Sequence, residues 1–293
     1  MRLAVLIIGW LFCPIAWASG PGLSDRVAVV VALDQPTPEV ASVVDAHAQA
    51  STLVETLRHQ GEYGDVRALI GSTADADTVL DTVRSAMTDL APDGVLLFVF
   101  LGHGAGGDFG EPALLTHGAT LDAPASTGVD VAALSQALRP RSDGQHVVVI
   151  VDALHLGSVD GVALIGPTAS GWPHLAKSGV TVVTPTVSGL GVQQDGLIPV
   201  VARGLAGHAD DNGDKSVTLA ELLRYTGAEL QDSSGSLVET VGPRKSDRVV
   251  GGLAGLFYGM KSIPNEWIDE IARKEDIEEL TNKLSDKYKI ARC

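Results

Sequence analysis

Residues 94–104 read GVLLFVFLGHG. The run from Val95 to Leu101 is apolar without a break, and a glycine-flanked histidine, His103, follows it. A short run of aliphatic and aromatic residues bounded by glycines predicts a strand buried on both faces, the kind found in parallel sheets. In open α/β sheets, ligands and chemistry sit beyond the carboxyl ends of the strands. A titratable side chain at that edge, beside glycines that let the backbone approach closely, is a site candidate.

Other stretches repeat the pattern on either side. Val27–Leu33, Asp65–Ile70, Gln145–Val151 and Gly179–Thr184 read as strands. Helical spacing of apolar residues is expected over Pro38–His59, Asp75–Leu90, Asp130–Leu138, Leu197–Gly207 and Thr218–Leu230. Pro92-Asp93-Gly94 reads as a turn, and Ala113-Leu114-Leu115 as a small hairpin arm. Strands alternating with helices predict right-handed crossovers and a mainly parallel α/β sheet flanked by helices on both faces.

A net charge of −15 over 293 residues excludes phosphate-neutralising surfaces, so nucleic acid is not an expected partner. Arg2, the apolar run Leu3–Ile15 and the small-residue site Ala16-Trp17-Ala18 read as a signal peptide over residues 1–18. A secreted or periplasmic chain is expected, with no membrane attachment after cleavage. The cysteines are Cys13 and Cys293, so cleavage would leave nothing to form an intramolecular disulfide.

Two expected strands end in Gly102-His103-Gly104 and in Asp152-Ala153-Leu154-His155-Leu156-Gly157. Over about residues 25–230 this arrangement resembles the caspase and metacaspase family, whose strands end in G-H-G and D-x-C-H-S-G. The resemblance implies a caspase-like domain over residues 25–245, with His103 as the dyad histidine beside Gly104. It aligns Asp152, His155 and Gly157 with the second motif and puts Leu154 where the nucleophilic cysteine belongs. Leucine has no nucleophilic atom, so the covalent step is removed. Ser158 is the nearest hydroxyl along the chain. His117, His174 and His208 have no paired metal-ligand spacing, and a zinc site is not expected.

Residues 210–221 read DDNGDKSVTLAE. Oxygen ligands fall at loop positions one, three, five, nine and twelve as Asp210, Asn212, Asp214, Thr218 and Glu221, with the Ser216 carbonyl at seven. The loop resembles a calcium-binding EF-hand, which implies Ca²⁺ as a bound ion. Lys215 stands where that family has glycine, and a lysine in the left-handed region costs roughly 1–2 kcal/mol. The competing reading is a helix cap, with Thr218 as N-cap and Glu221 as its reciprocal partner.

Beyond Gly251 the composition shifts toward lysine and dense charge, as in Glu275-Asp276-Ile277-Glu278-Glu279. Residues 249–288 resemble the C-terminal helices of ADP-ribosylglycohydrolases, in a segment reading GGLAGLFYG and then IPNEW. That implies a helical tail over 249–293. The acidic pair that such enzymes carry just upstream is absent from Gly242-Pro243-Arg244-Lys245, so a glycohydrolase site is not expected. Gly251, Gly255 and Gly259 suggest close helix packing, and Ile263 and Trp267 a staple onto another surface.

The sequence therefore predicts an exported caspase-like pseudo-peptidase that binds a peptide or protein ligand and is not an enzyme. Two alternatives stand beside it. One is a hydrolase with His103 as general base, and the other is a calcium-responsive binding module.

Overall fold

The computed structural model describes residues 23–106, 112–154, 158–159, 162–163, 175, 179–185, 196–234, 238–241 and 249–252. The expected signal peptide and the tail beyond Gly252 lie outside these residues, as do His155, Gly157 and His174. The main sheet contains β1 (Ser24–Ala32), β2 (Asp65–Ile70), β3 (Leu90–Gly106), β4 (Pro112–Leu115), β5 (Val129–Asp130), β6 (His146–Leu154), β9 (Thr181–Pro185) and β11 (Val238–Val241). Its spatial order is β11-β9-β6-β3-β1-β2, with β4 and β5 attached beside β3. The five central strands from β9 to β2 are parallel, and β11 joins the β9 edge antiparallel. The expected α/β architecture is the observed one.

Helices cover both faces. Leu97, Val99, Leu101, Val148 and Ile150 pack on one face with α1 (Ala46–His59), α5 (Leu197–Arg203) and α6 (Leu219–Ser234). Leu96, Phe98, Phe100, Val147 and Val149 pack on the other with α2 (Ala76–Asp89) and α4 (Val131–Ala137). The run Val95–Leu101 is at most 5% exposed at every position, because each face of the strand meets a helix layer. A short helix α3 (Pro124–Thr127) lies between β4 and β5 in the chain. Among the described residues there are two further strand pairs, β7 (Ser158–Val159) with β8 (Val162–Ala163) and β10 (Ser216–Thr218) with β12 (Val249–Gly252), both antiparallel.

Three local expectations are corrected. The helix expected from Pro38 begins only at Ala46, after Asp45 at φ 56°. Val40 and Val43 are buried from the loop before it, so they reach the core without helical spacing. Pro92-Asp93-Gly94 is not a turn but lies inside β3. The pairing with β1 steps from Ser24–Leu90 to Arg26–Val95, and the extra residues bulge out. A Cβ on Gly94 would sit 2.9 Å from the Asp25 carbonyl oxygen, which is why glycine stands there. Finally, β3 does not stop at His103 but runs on to Gly106 in a hairpin with β4.

The first residues of the expected tail are part of the body. Val250 is 1% exposed and shares a hydrophobic cluster with Val217 and Leu205. The buried Tyr63 Oη donates to the Val250 carbonyl at 3.0 Å. Gly251 is in a strand and not a helix, and its close approach is to Leu205, whose Cδ2 is 3.0 Å from where a Cβ would lie.

Candidate functional site

Three adjacent strands bring polar residues to the carboxyl edge of the sheet. In the β3–β6 pairing Leu101 lies opposite Asp152, Gly102 opposite Ala153 and His103 opposite Leu154. Register partners on parallel strands leave the sheet on the same side. Counted in twos from Leu97 and Val148, His103 and Asp152 therefore belong to the face that carries α1 and α5. The two strands are adjacent, with Leu154 the register partner of His103.

His103 is 3% exposed, and its Nδ1 has no hydrogen-bond partner. Burial pushes its imidazole down to about 4, against a smaller upward pull from the Asp34 carboxylate. The ring is thus neutral at physiological pH and holds a lone pair or an N–H without a partner at Nδ1. Its backbone is held on both sides, by β6 and by Leu115 of β4, so only side-chain rotation can redirect it. Gly104, the other member of the motif, pairs with Leu114.

Asp152 has a structural partner. Burial pushes its carboxyl up to about 6, opposed by hydrogen bonds from the amides of Ile198 and Leu197. These are the first two residues of α5, whose N-cap is Gly196 and offers no side chain. Asp152 thus caps the helix from a neighbouring strand and places a carboxylate at its positive end.

Asp34 was missed by the sequence reading. It follows β1, next to β3, and its side chain accepts from Ser42 Oγ while its carbonyl accepts from Val43 N at 2.8 Å. A polar residue directly after VAVVVAL carried the same signal as His103 after its own apolar run.

The acidic loop is a second, separate region. Asp210 accepts from the amides of Gly213 and Lys215 at 2.8 and 2.9 Å, Asn212 from Asp214 at 2.7 Å, and Asp214 from Ser216 at 2.8 Å. Lys215 adopts φ 69°, the left-handed turn expected at the sixth loop position despite its side chain. Glu221 is 5% exposed; it accepts from the Thr218 backbone amide and hydroxyl on Oε2 and from the Asn212 side-chain Nδ2 on Oε1. Thr218 Oγ1 in turn accepts from Glu221 N at 3.3 Å, which completes the reciprocal cap. The turn of an EF-hand and the capping box coexist. Among the described residues, no group of three or more His, Cys, Asp and Glu side chains is set to hold a metal ion. An EF-hand would in any case also recruit Asn212, the Ser216 carbonyl and Thr218, outside that set.

Comparison with known proteins bears on the two ends of this picture. The ADP-ribosylglycohydrolase family matches residues 248–292, beginning at β12 and covering the tail. That is a minor part of the chain and does not place the whole in that family. No protein of curated function matches. Among solved structures, the chain is similar to the crystal structure of protein GSU0716 from Geobacter sulfurreducens. The TM-score is 0.52 and the identity 12%, over 78% of this chain and 99% of that one. At that identity the likeness speaks for the fold alone.

Proposed function

We propose that the chain is an exported caspase-like pseudo-peptidase that holds a peptide segment at the carboxyl edge of its sheet without cutting it. The observation that carries this reading is the register of His103 on Leu154. A neutral, buried imidazole stands beside the one position where a thiol would complete a cysteine-peptidase dyad, and that position is leucine. The unpartnered Nδ1 favours a ligand that brings a hydrogen bond, as an extended peptide backbone does.

The test is a peptide library offered to the purified chain and to His103→Ala. Retention that depends on His103, with no cleaved product, is expected. Turnover by the wild-type chain that His103→Ala abolishes would establish instead the second reading, a hydrolase in which His103 acts as general base on water.

The acidic loop supports a calcium-responsive element within the same protein. The specific observation is Lys215 at φ 69°, since the loop takes the required turn even at a residue that resists it. Asp210, Asn212, Asp214, Ser216, Thr218 and Glu221 would supply the oxygens of a Ca²⁺ site. Titration calorimetry at millimolar calcium is expected to give a heat that Glu221→Gln removes. An equal trace from both proteins leaves the loop a helix cap.

A further inference from the structure

Asn212 is one of three asparagines in the chain and the one followed by glycine; Asn265 precedes Glu266, and Asn282 precedes Lys283. Asn212 and Gly213 are both exposed in the acidic loop. Gly213 adopts φ 73°, and a Cβ on it would meet nothing within 4 Å, so that side of its backbone is open to water. The Asn212 side chain is tied at both of its polar atoms. Oδ1 accepts from Asp214 N at 2.7 Å, and Nδ2 donates to Glu221 Oε1 at 3.0 Å.

We propose that Asn212-Gly213 is a site of spontaneous modification through a succinimide, and that the carboxylate left beside Glu221 releases the cap of α6. Gly213 N gives up its proton and bonds to Asn212 Cγ, closing the ring. The Cγ–Nδ2 bond breaks, and Nδ2 leaves with a proton as ammonia. Water then opens the ring at either carbonyl, which leaves aspartate or isoaspartate at position 212. Glycine offers no side chain to hinder the closure, and the reacting atoms belong to neighbouring residues, so the attack is intramolecular. The Asp214 amide is placed to hold the charge that develops on Oδ1 as the ring closes. Asp210 opposes the step: its Oδ1 accepts from Gly213 N at 2.8 Å and keeps the proton there, so reaction follows the opening of this exposed bond.

The consequence lies at Glu221. Its side chain is 5% exposed, and Oε2 holds the amide and hydroxyl of Thr218 at the start of α6. In the aspartate product, the atom facing Oε1 from 3.0 Å changes from a donor to an oxygen of like charge. Glu221 then suffers a lost bond and a repulsion on the same buried carboxylate. Turning out to water relieves both, frees Thr218 and loosens the first turn of α6. The chemistry needs no bound cation.

The full chain, incubated at mildly alkaline pH and sampled over days by peptide mapping and mass spectrometry, tests the site. Conversion at Asn212 should run about tenfold faster than at Asn265 or Asn282. Melting curves in calcium-free buffer, taken on Asn212→Asp, read the consequence. A loss of about 2–4 °C is expected in the wild-type background. In Glu221→Gln, where no like charge faces position 212, the same change should leave the melting temperature where it was. Conversion at Asn212 no faster than at Asn265 and Asn282 would overturn the modification site. An equal loss in both backgrounds, or none in either, would overturn the release of the cap through Glu221.

Discussion

His103 of β3 and Leu154 of β6 are register partners on adjacent parallel strands, roughly 4.8 Å apart at the backbone. A thiol built onto Leu154 would therefore start beside an imidazole that burial holds near 4, whose hold on a proton strengthens once a thiolate forms next to it. In a chain whose Cys13 and Cys293 are replaced by serine, Leu154→Cys should carry a thiol with a lowered pKa. Its alkylation at pH 7 is expected to be about tenfold faster than that of an exposed cysteine, and to slow when His103→Ala is added. Equal rates with and without the histidine would remove the dyad geometry from the account.

The two titratable groups of the edge oppose one another in their effect on stability. His103 titrates near 4 in the folded chain and about 6.5 when unfolded, so the unfolded state binds the extra proton between these values. Its contribution rises with pH across that window, by on the order of 3 kcal/mol. Asp152 titrates near 6 when folded and about 3.9 when unfolded, so here the folded state binds the extra proton. Its contribution falls with pH from about 4 to about 6. The wild-type profile should be shallow in this range. Denaturant titrations should show Asp152→Asn gaining stability with pH and His103→Gln losing it. Parallel slopes in the two variants would show that burial does not shift the two groups in opposite directions.

Lys215 pays for its turn with strain. Glycine at that position adopts φ near 69° freely, so Lys215→Gly should stabilise the chain by about 1 kcal/mol. The same change removes an ammonium from the loop and should tighten cation binding. Melting curves with and without calcium separate the two effects. Destabilisation by glycine would mean that the lysine side chain makes a contact worth more than the strain.

Tyr63 is 4% exposed, and burial holds its phenol well above the usual range, un-ionised and donating to Val250. Tyr63→Phe keeps the ring and leaves a buried carbonyl without its donor, at a cost of about 1–3 kcal/mol. Hydrogen exchange should quicken selectively at β10 and β12. A uniform change across the sheet would indicate a packing defect in place of a lost bond.

The strands that the sequence announced were those whose signal is their own. VAVVVAL, the run 95–101 and the run 147–151 are apolar because both sides of each strand meet other layers, whereas DVRALI at the sheet edge is only partly buried. What escaped is set by partners distant in the chain. The continuation of β3 through Gly102-His103-Gly104-Ala105-Gly106 has no strand-forming composition and exists because β4 folds back on it. Likewise VETV and VVGG, strands β11 and β12, are short and unremarkable until β9 and β10 are beside them. At the site, His103 and its opposition to Leu154 were legible because motif ends on neighbouring strands must meet. The role of Asp152 was not, because the amides that it caps belong to a helix more than forty residues onward.

The bond from Tyr63 to Val250 joins residues 187 positions apart. β12 is the last strand in the chain among the described residues, so until it is synthesised the apolar cluster around Leu205 lacks Val250. Closing so long a loop is a slow, late event, and the apolar cluster around Leu205 stays open to water until it happens. A nascent chain is thus kept from finishing its fold, and the last of its described strands acts as the latch on the assembled whole.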